Sequence, residues 1–401
     1  MKKSVLVLNA GSSSIKFSLY ELQKGEPVTE AMSFGEIDGI GGIPRFTFSQ
    51  QADENPQHQT LSAGLDWQEL LSIILKWVES HITGHELIAA GHRVVHGGVD
   101  FTRPVIINDK ILQQLNALIP LAPSHQPQNL AAIEVVQSFA PDLPQVACFD
   151  TAFHHGQSDL ATTFALPKEL RDDGIRRYGF HGLSYDYITT ALPEYLDPVA
   201  TKGKVVIAHL GHGASMCAIK DGKSVATSMG FTALDGLPMG RRCGSIDPGV
   251  LLYLMREKGM DHDALSELLY QHSGLLGLSG LSDDMRELLA MSAPEAKFAI
   301  AYFAYWVSRG LGSLAAALGG IDALVFTGGI GEHAPTIRRS VCEQAGWLGI
   351  EIDAAANDQS KTDIGGRGSH VKVLVIPTNE NLVIARHTAN VLAQTDTMIV
   401  N

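Results

Sequence analysis

Val5-Leu6-Val7-Leu8-Asn9-Ala10-Gly11-Ser12-Ser13-Ser14, set beside Val206-Ile207-Ala208-His209-Leu210-Gly211-His212-Gly213-Ala214-Ser215, carries the pattern from which the architecture follows. Each stretch is an apolar strand that runs into a turn of small residues. Each resumes as a second apolar run, at 15–20 and 216–219, and closes on a polar turn, Gln23-Lys24-Gly25 and Lys220-Asp221-Gly222-Lys223. Strand, tight turn and returning strand make a β-hairpin, and two hairpins of one pattern about 200 residues apart predict a duplicated domain.

Outward from the first hairpin, the polar segment 49–60 reads as a surface loop and 66–80 as an amphipathic helix. A buried strand at 87–95, a proline-rich loop at 120–127, a helix at 129–139 and an apolar strand at 145–149 ending on Asp150 follow. After the second hairpin come a long helical pattern at 294–318, a buried strand at 323–326 and the turn Gly328-Gly329-Ile330-Gly331. A late strand at 371–376 runs into Pro377-Thr378-Asn379-Glu380, and 381–394 reads as a final helix. Strands alternating with helices indicate α/β layers. At 401 residues the chain is too long for one ordinary core, and two domains are the simplest division.

A formal net charge of -13 argues against a nucleic-acid or anionic-membrane partner, because affinity for either comes from Lys and Arg. An anionic ligand must then be held by local groups. Cys148, Cys217, Cys243 and Cys342 stand far apart in apolar or glycine-rich stretches, the pattern of reduced thiols. The apolar run after Lys2 and Lys3 is too short for a signal peptide, and no stretch approaches the roughly 18 apolar residues of a membrane span. These features predict a cytoplasmic protein.

Three turns of glycine, serine or both follow strands, at 9–16, 209–215 and 327–332. Exposed backbone amides and small hydroxyls in such turns suit phosphate oxygens, although none matches Gly-x-x-x-x-Gly-Lys-[Ser/Thr]. Lys16 can reach a β- or γ-phosphate or be a solvated lysine at a hairpin edge. Asn9 and Glu380 each follow an apolar strand, where ligands meet the carboxyl end of a sheet, and an amide oxygen with a carboxylate suits Mg²⁺. Arg93, among apolar residues, and Arg242, among glycines, both need an anion. That anion is either Asp150, in an internal salt bridge, or a substrate carboxylate and a phosphoryl group in transfer. His181, flanked by glycines in Arg177-Tyr178-Gly179-Phe180-His181-Gly182, can donate to phosphoryl oxygens. His92 and His96 lie on a strand, where four-residue spacing is too long for one metal.

These motifs resemble the acetate kinase family, within the wider group of actin, hexokinase and heat-shock-chaperone ATPases. The resemblance extends through Gly91-His92-Arg93-Val94-Val95-His96-Gly97-Gly98, Phe149-Asp150-Thr151-Ala152-Phe153-His154, Phe326-Thr327-Gly328-Gly329-Ile330-Gly331-Glu332 and Ile376-Pro377-Thr378-Asn379-Glu380. It implies two ribonuclease-H-like domains of the actin-like ATPase type with the active site in the interdomain cleft. Residues 1–150 would form the acyl-substrate side, joined by the C-terminal helix 381–401, and residues 151–380 the nucleotide side. It further implies reversible phosphoryl transfer from ATP to acetate, giving acetyl phosphate and ADP, by a homodimer using Mg²⁺ or Mn²⁺.

Carried over residue by residue, the resemblance gives Asn9 and Glu380 to the metal and Arg93 to the acyl carboxylate. His181 and Arg242 would stabilise the transition state. Val95, Leu121, Phe180 and Ala233 would line the acyl pocket. ATP would lie against Ser12, Ser14 and Lys16, then His209, Leu210, Gly211, His212 and Gly213, then Asp284, Met285 and Arg286, and finally Gly329, Ile330, Gly331, Glu332 and His333. Asp150 belongs to the catalytic set, but a carboxylate acceptor is already ionised near neutral pH and needs no base. Asp150 is therefore expected to orient Arg93 or a metal-bound water.

The chain departs from the family pattern at Ala233, usually proline, which widens the pocket toward propionate. His212 and His333 each replace asparagine, Arg241 and Leu183 replace threonine, Ser245 replaces aspartate, and Asn381 replaces a second glutamate. Arg241 either strengthens phosphate binding or sits in solvent. Two other classes compete. An actin-type nucleotide switch needs no cationic clamp for a small carboxylate, and a sugar kinase needs a polar pocket where Val95, Leu121 and Phe180 are apolar.

Overall fold

The structure, a computed structural model, describes the backbone of residues 1–11, 14–50 and 55–400, with side chains through residue 395. The chain divides into two compact units, one of Met1–Ala152 with Asn379–Asn401 and one of Phe153–Thr378. Unit 1 carries β1 (Lys2–Ala10), β2 (Ile15–Gln23), β3 (Glu26–Pro27), β4 (Ser33–Asp38), β5 (Arg45–Gln50), β6 (Gln57–Thr60), β7 (His85–Val94), β8 (Val105–Ile106) and β9 (Gln145–Phe149). They form one sheet in the order β6-β5-β4-β2-β1-β7-β9-β8, with β3 paired to β2. Unit 2 carries β10 (Lys204–Leu210), β11 (Ala214–Lys220), β12 (Lys223–Thr227), β13 (Ala323–Thr327) and β14 (Lys372–Val375), in the order β12-β11-β10-β13-β14.

One five-strand path occurs in both sheets. The first strand lies in the middle, with two antiparallel partners in succession on one side, β2 and β4 or β11 and β12. On the other side are two parallel strands, β7 and β9 or β13 and β14. This is the ribonuclease-H-like arrangement of actin-like ATPases, present twice, as the paired hairpins predict.

Local chemistry sets the helices that cover the sheets. Trp67–His81 starts at a capping box, in which Asp66 accepts from the Glu69 amide and Glu69 accepts from the Asp66 amide, both at 2.8 Å. Its Leu70, Leu71, Ile74, Leu75 and Val78 are buried in a cluster with Phe17 and Phe46. The helix Glu380–Val400 covers the other face of the unit 1 sheet, where its approach to β7 admits no side chain at Gly91. A Cβ there would collide with Thr388 Oγ1 and lie 2.8 Å from Ile384 Cγ2.

Three expectations change. Residues 57–60 are strand, because Gln-His-Gln-Thr pairs its backbone with β5 while all four side chains stay exposed. The glycine turn after β13 is a helix, Gly328–His333. Within 120–127 the chain is ordered as the 3₁₀ turn Ile119–Leu121 and the start of the helix Gln126–Phe139, whose first turn tolerates Pro127 because no amide hydrogen is needed there.

His92, His96 and His154 are at most 2% exposed, and burial depresses each from 6.5 to about 4. A group whose folded pKa lies below its unfolded value binds its proton preferentially in the unfolded chain. Its stabilisation is complete above pH 6.5 and is lost as pH falls toward 4. At roughly 1.4 kcal/mol per pH unit, each histidine contributes ~3 kcal/mol across that window. Urea midpoints are expected to fall steeply from pH 7 to pH 5, and a flat profile would show that these rings are not held neutral.

Candidate active site

In unit 1, the parallel pairing of β7 with β9 sets Arg93 opposite Cys148, and Asp150 follows β9 directly. Arg93 Nε donates to both Asp150 oxygens at 3.1 Å, Nη2 donates to Oδ2 at 2.6 Å, and Nη1 donates to Asn9 Oδ1 at 3.2 Å. The internal salt bridge open to the sequence is therefore present. Burial works against the Arg93 charge, but the carboxylates of Asp150 and Glu380 outweigh it and raise the pKa above the usual arginine value. Asn9 on β1, Arg93 on β7, Asp150 just past β9 and Glu380 at the start of the C-terminal helix thus form one electrostatic group. Val95 is buried beside them, and its amide donates to Asn129 Oδ1 at 2.9 Å while Asn129 Nδ2 donates to the Ala10 carbonyl at 2.6 Å.

Leu121 is half-buried at the end of its 3₁₀ turn. The carbonyl of Ser14 accepts from the Gly11 amide at 2.9 Å and closes the first small-residue turn, whereas Ser12 lies outside the described residues. Lys16 is more than half exposed and sits 3.6 Å from Glu36. A surface pair of that kind contributes about 0–1 kcal/mol, too little to withhold the lysine from a phosphate.

In unit 2, His181 adopts the left-handed backbone region, φ 57°, at the start of the helix Gly182–Ala191. That conformation costs a non-glycine residue ~1–2 kcal/mol, and the surrounding contacts offset it. Nδ1 shares a hydrogen with Ser215 Oγ at 2.8 Å, Ser215 also bonds the Tyr185 hydroxyl, and the ring stacks on His209 at 4.3 Å. His209 is fixed in turn by Ser184 Oγ at 2.8 Å, which donates to Thr378 Oγ1 at 2.9 Å. Arg242 Nη1 donates to the Ala233 carbonyl at 2.7 Å. A Cβ placed on Gly213 would lie 2.7 Å from Arg242 Nη2 and 3.2 Å from His181 Nε2. A guanidinium, an imidazole and a glycine turn therefore meet at one point.

The other predicted residues flank that point on separate elements. Gly211, whose amide donates to the Gly213 carbonyl at 3.0 Å, and the buried Leu210 adjoin the helix carrying Gly329, Ile330 and Gly331. Glu332 is turned inward: its Oε1 accepts from the amides of Gly328 at 2.9 Å and Thr378 at 3.3 Å. His333 is exposed, 3.9 Å from Glu332. Asp284 caps the helix Met285–Ala290 and pairs with the exposed Arg286, while Met285 is buried. Phe180 is buried, and its carbonyl accepts from His154 Nε2 at 3.0 Å.

Several supporting residues escaped sequence reasoning. Arg338 is fully buried, with its donors spent on the Asn357 side chain and carbonyl, the Gly331 and Glu332 carbonyls and Ser360 Oγ, at 2.8–2.9 Å. It holds the Gly328–His333 helix from behind. Two departures from the family pattern also acquire partners: Ser245 Oγ donates to Asp235 at 2.6 Å, and Asn381 Nδ2 donates to Ser18 Oγ at 2.9 Å.

The sequence profile of the acetokinase family matches residues 4–386. An acetate kinase of Rhodopseudomonas palustris is 52% identical over 393 residues, covering 96% of this chain and 98% of its own. One from Methylocella silvestris is 50% identical over 401 residues, covering 98% and 99%. Among solved structures, a propionate kinase from Francisella tularensis superposes with a TM-score of 0.88 at 38% identity, covering 96% of this chain and 98% of its own. Porphyromonas gingivalis acetate kinase superposes at 0.86 with 35% identity, covering 97% and 100%.

Removing one partner of a buried ion pair strands the other charge. Asp150→Ala is expected to lower stability in urea by about 3 kcal/mol, and the double variant Arg93→Leu, Asp150→Leu to recover more than half of that loss. A loss below about 1 kcal/mol would mean that solvent already screens the pair.

Proposed function

This chain belongs to the acetokinase family, and we propose that it transfers the γ-phosphoryl group of ATP to acetate, reversibly, giving acetyl phosphate and ADP. The observation that carries the reading is the Arg93 guanidinium, fixed by Asp150 and Asn9 beside the buried apolar Val95. Those bonds use three of its five N–H groups, and the remaining two on Nη1 and Nη2 suit a small carboxylate. The acetate oxygen attacks the γ-phosphorus as the bond to the β,γ-bridging oxygen breaks. Asp150 works by aiming Arg93 rather than by taking a proton, since acetate enters ionised.

In this reading the acyl group belongs to unit 1, Met1–Ala152 with the C-terminal helix, and most of the nucleotide contacts to unit 2, Phe153–Thr378. His181 and Arg242 donate to the equatorial oxygens of the transferring phosphoryl group, whose loose transition state asks for alignment and charge neutralisation. The nucleotide lies against Ser12, Ser14, Lys16, residues 209–213, 284–286 and 329–333. Asn9 Oδ1 and the Glu380 carboxylate beside Arg93 are hard oxygen donors of the kind Mg²⁺ or Mn²⁺ takes. The metal, when bound, neutralises phosphate charge.

Val95, Leu121, Phe180 and Ala233 line the acyl pocket. Propionate is the second reading, favoured by Ala233, which fills less of the pocket than a proline ring. Purified protein with Mg²⁺, ATP and hydroxylamine is expected to trap acyl phosphate most strongly from acetate, less from propionate and least from butyrate. Val95→Ala should move the preference toward propionate by roughly tenfold, the scale of one or two methylenes. ATP hydrolysis with no acyl phosphate from any acid would instead favour a nucleotide switch.

Four cysteines outside disulfides support a cytoplasmic setting, and among the described residues no helix is long and apolar enough to cross a membrane. A homodimer is supported by the long helix Pro294–Leu318, which exposes Phe298 and Tyr305, and by Trp347, which is 70% exposed and packs on Gly312. Light scattering is expected to give twice the chain mass, and Phe298→Glu with Tyr305→Glu to give monomer. A wild-type monomer at micromolar concentration would exclude this assembly.

A further inference from the structure

Two departures from the family pattern, His212 and Arg241, meet on one carboxylate. Asp283 Oδ2 accepts from Arg241 Nε at 2.5 Å and from His212 Nε2 at 3.1 Å. His212 belongs to the glycine turn between β10 and β11, Arg241 precedes the transition-state arginine Arg242, and Asp283 precedes the cap residue Asp284. One side-chain cluster therefore ties two segments assigned to the nucleotide to the segment that carries Arg242. The backbone reinforces it: the Gly240 amide donates to the His212 carbonyl at 3.1 Å, and the Leu276 amide to the Gly240 carbonyl at 3.0 Å. Gly240 leaves room for the ring, since a Cβ there would stand 2.6 Å from His212 Cδ2 and Nε2 and 3.1 Å from the Asp283 carbonyl. Burial pushes the Asp283 carboxyl up, but the hydrogen bonds from Arg241 and His212 outweigh it and hold it below the ordinary carboxylate range.

We propose that His212, Asp283 and Arg241 form a latch that fixes the 211–213 turn against the Arg242 segment and so sets affinity for the nucleotide. Asp283 and Arg241 are positioning residues. Arg241 is not a bystander in solvent, because Asp283 engages its Nε. The proposal rests on the nucleotide lying at this turn. An exposed pair alone would contribute little, but here one carboxylate joins two donors on separate segments, and each bond restrains a backbone already linked to the other.

Isothermal titration of the full-length protein with ADP in Mg²⁺ buffer tests the latch. Asp283→Ala is expected to raise the ADP Kd by roughly three- to tenfold, the range for loss of a partly exposed ionic network. Arg241→Ala should do less, and the double variant no more than Asp283→Ala alone. At saturating substrates kcat and the acetate KM should stay near wild type, a split that a general structural defect would not give. Asp283→Asn, similar in shape but uncharged, repeats the measurement should the alanine variant fold poorly. Unchanged ADP affinity in both variants, with wild type binding, would overturn the latch alone. Tighter ADP binding would overturn it too, by showing that a freed Arg241 contacts phosphate. Wild type that binds no ADP would remove the nucleotide assignment and the latch with it.

Discussion

A guanidinium taken out of water must find acceptors, and this requirement organises the candidate site around Arg93. The side chain leaves a strand whose next residue, Val94, is fully buried, so the charge survives only because the end of β1, the residue after β9 and the start of the C-terminal helix all bring oxygen toward it. Strand order makes this possible. In a path that puts β1 between β2 and β7, and β7 next to β9, the carboxyl ends of β1, β7 and β9 are neighbours. Asn9, Arg93 and Asp150 then converge without any loop having to reach. The chemistry of the site is in this sense a property of the sheet.

The second sheet applies the same geometry to different groups. In β1 and β2 the antiparallel register sets Asn9 opposite Lys16, and in β10 and β11 it sets His209 opposite Ser215. The last paired residues are Ala10 with Ile15 in unit 1 and Leu210 with Ala214 in unit 2. One position therefore offers an amide and an ammonium in the first half, and an imidazole with a hydroxyl that orients His181 in the second. The two sheets thus present equivalent platforms that differ in the side chains at matched positions.

Much of this was legible because period-two apolar patterning and small-residue turns are local signals. The paired hairpins, the strand carrying Arg93 and the helix after Asp66 all announce themselves within a dozen residues. β6 did not, since a solvent-exposed edge strand of Gln, His, Gln and Thr has no apolar face to betray it. The Gly328–His333 helix was hidden because glycine favours turns in isolation, and here Glu332 accepting the Gly328 amide and Arg338 bonding the Gly331 and Glu332 carbonyls supply what propensity does not. Supporting residues such as Asn129, Ser215 and Arg338 were unreadable for a related reason. Their roles depend on partners distant in sequence or on a helix that the glycines conceal. Arg241 is instructive, as its neighbours in sequence offered phosphate or solvent, and its partner lies 42 residues away.

The packing of the Glu380–Val400 helix against Gly91 also fixes an order of events. Unit 1 is discontinuous: its sheet is made by residues before Ala152, but the helix that covers one face of that sheet follows the whole of unit 2. A chain emerging from the ribosome therefore exposes an unfinished first half while the contiguous second half, Phe153–Thr378, already has all its residues. The part translated first is the part completed last. Nascent polypeptides must keep the bare face of the first sheet from associating with neighbours for the time it takes to add the intervening residues, a vulnerability of biosynthesis that the finished enzyme does not display.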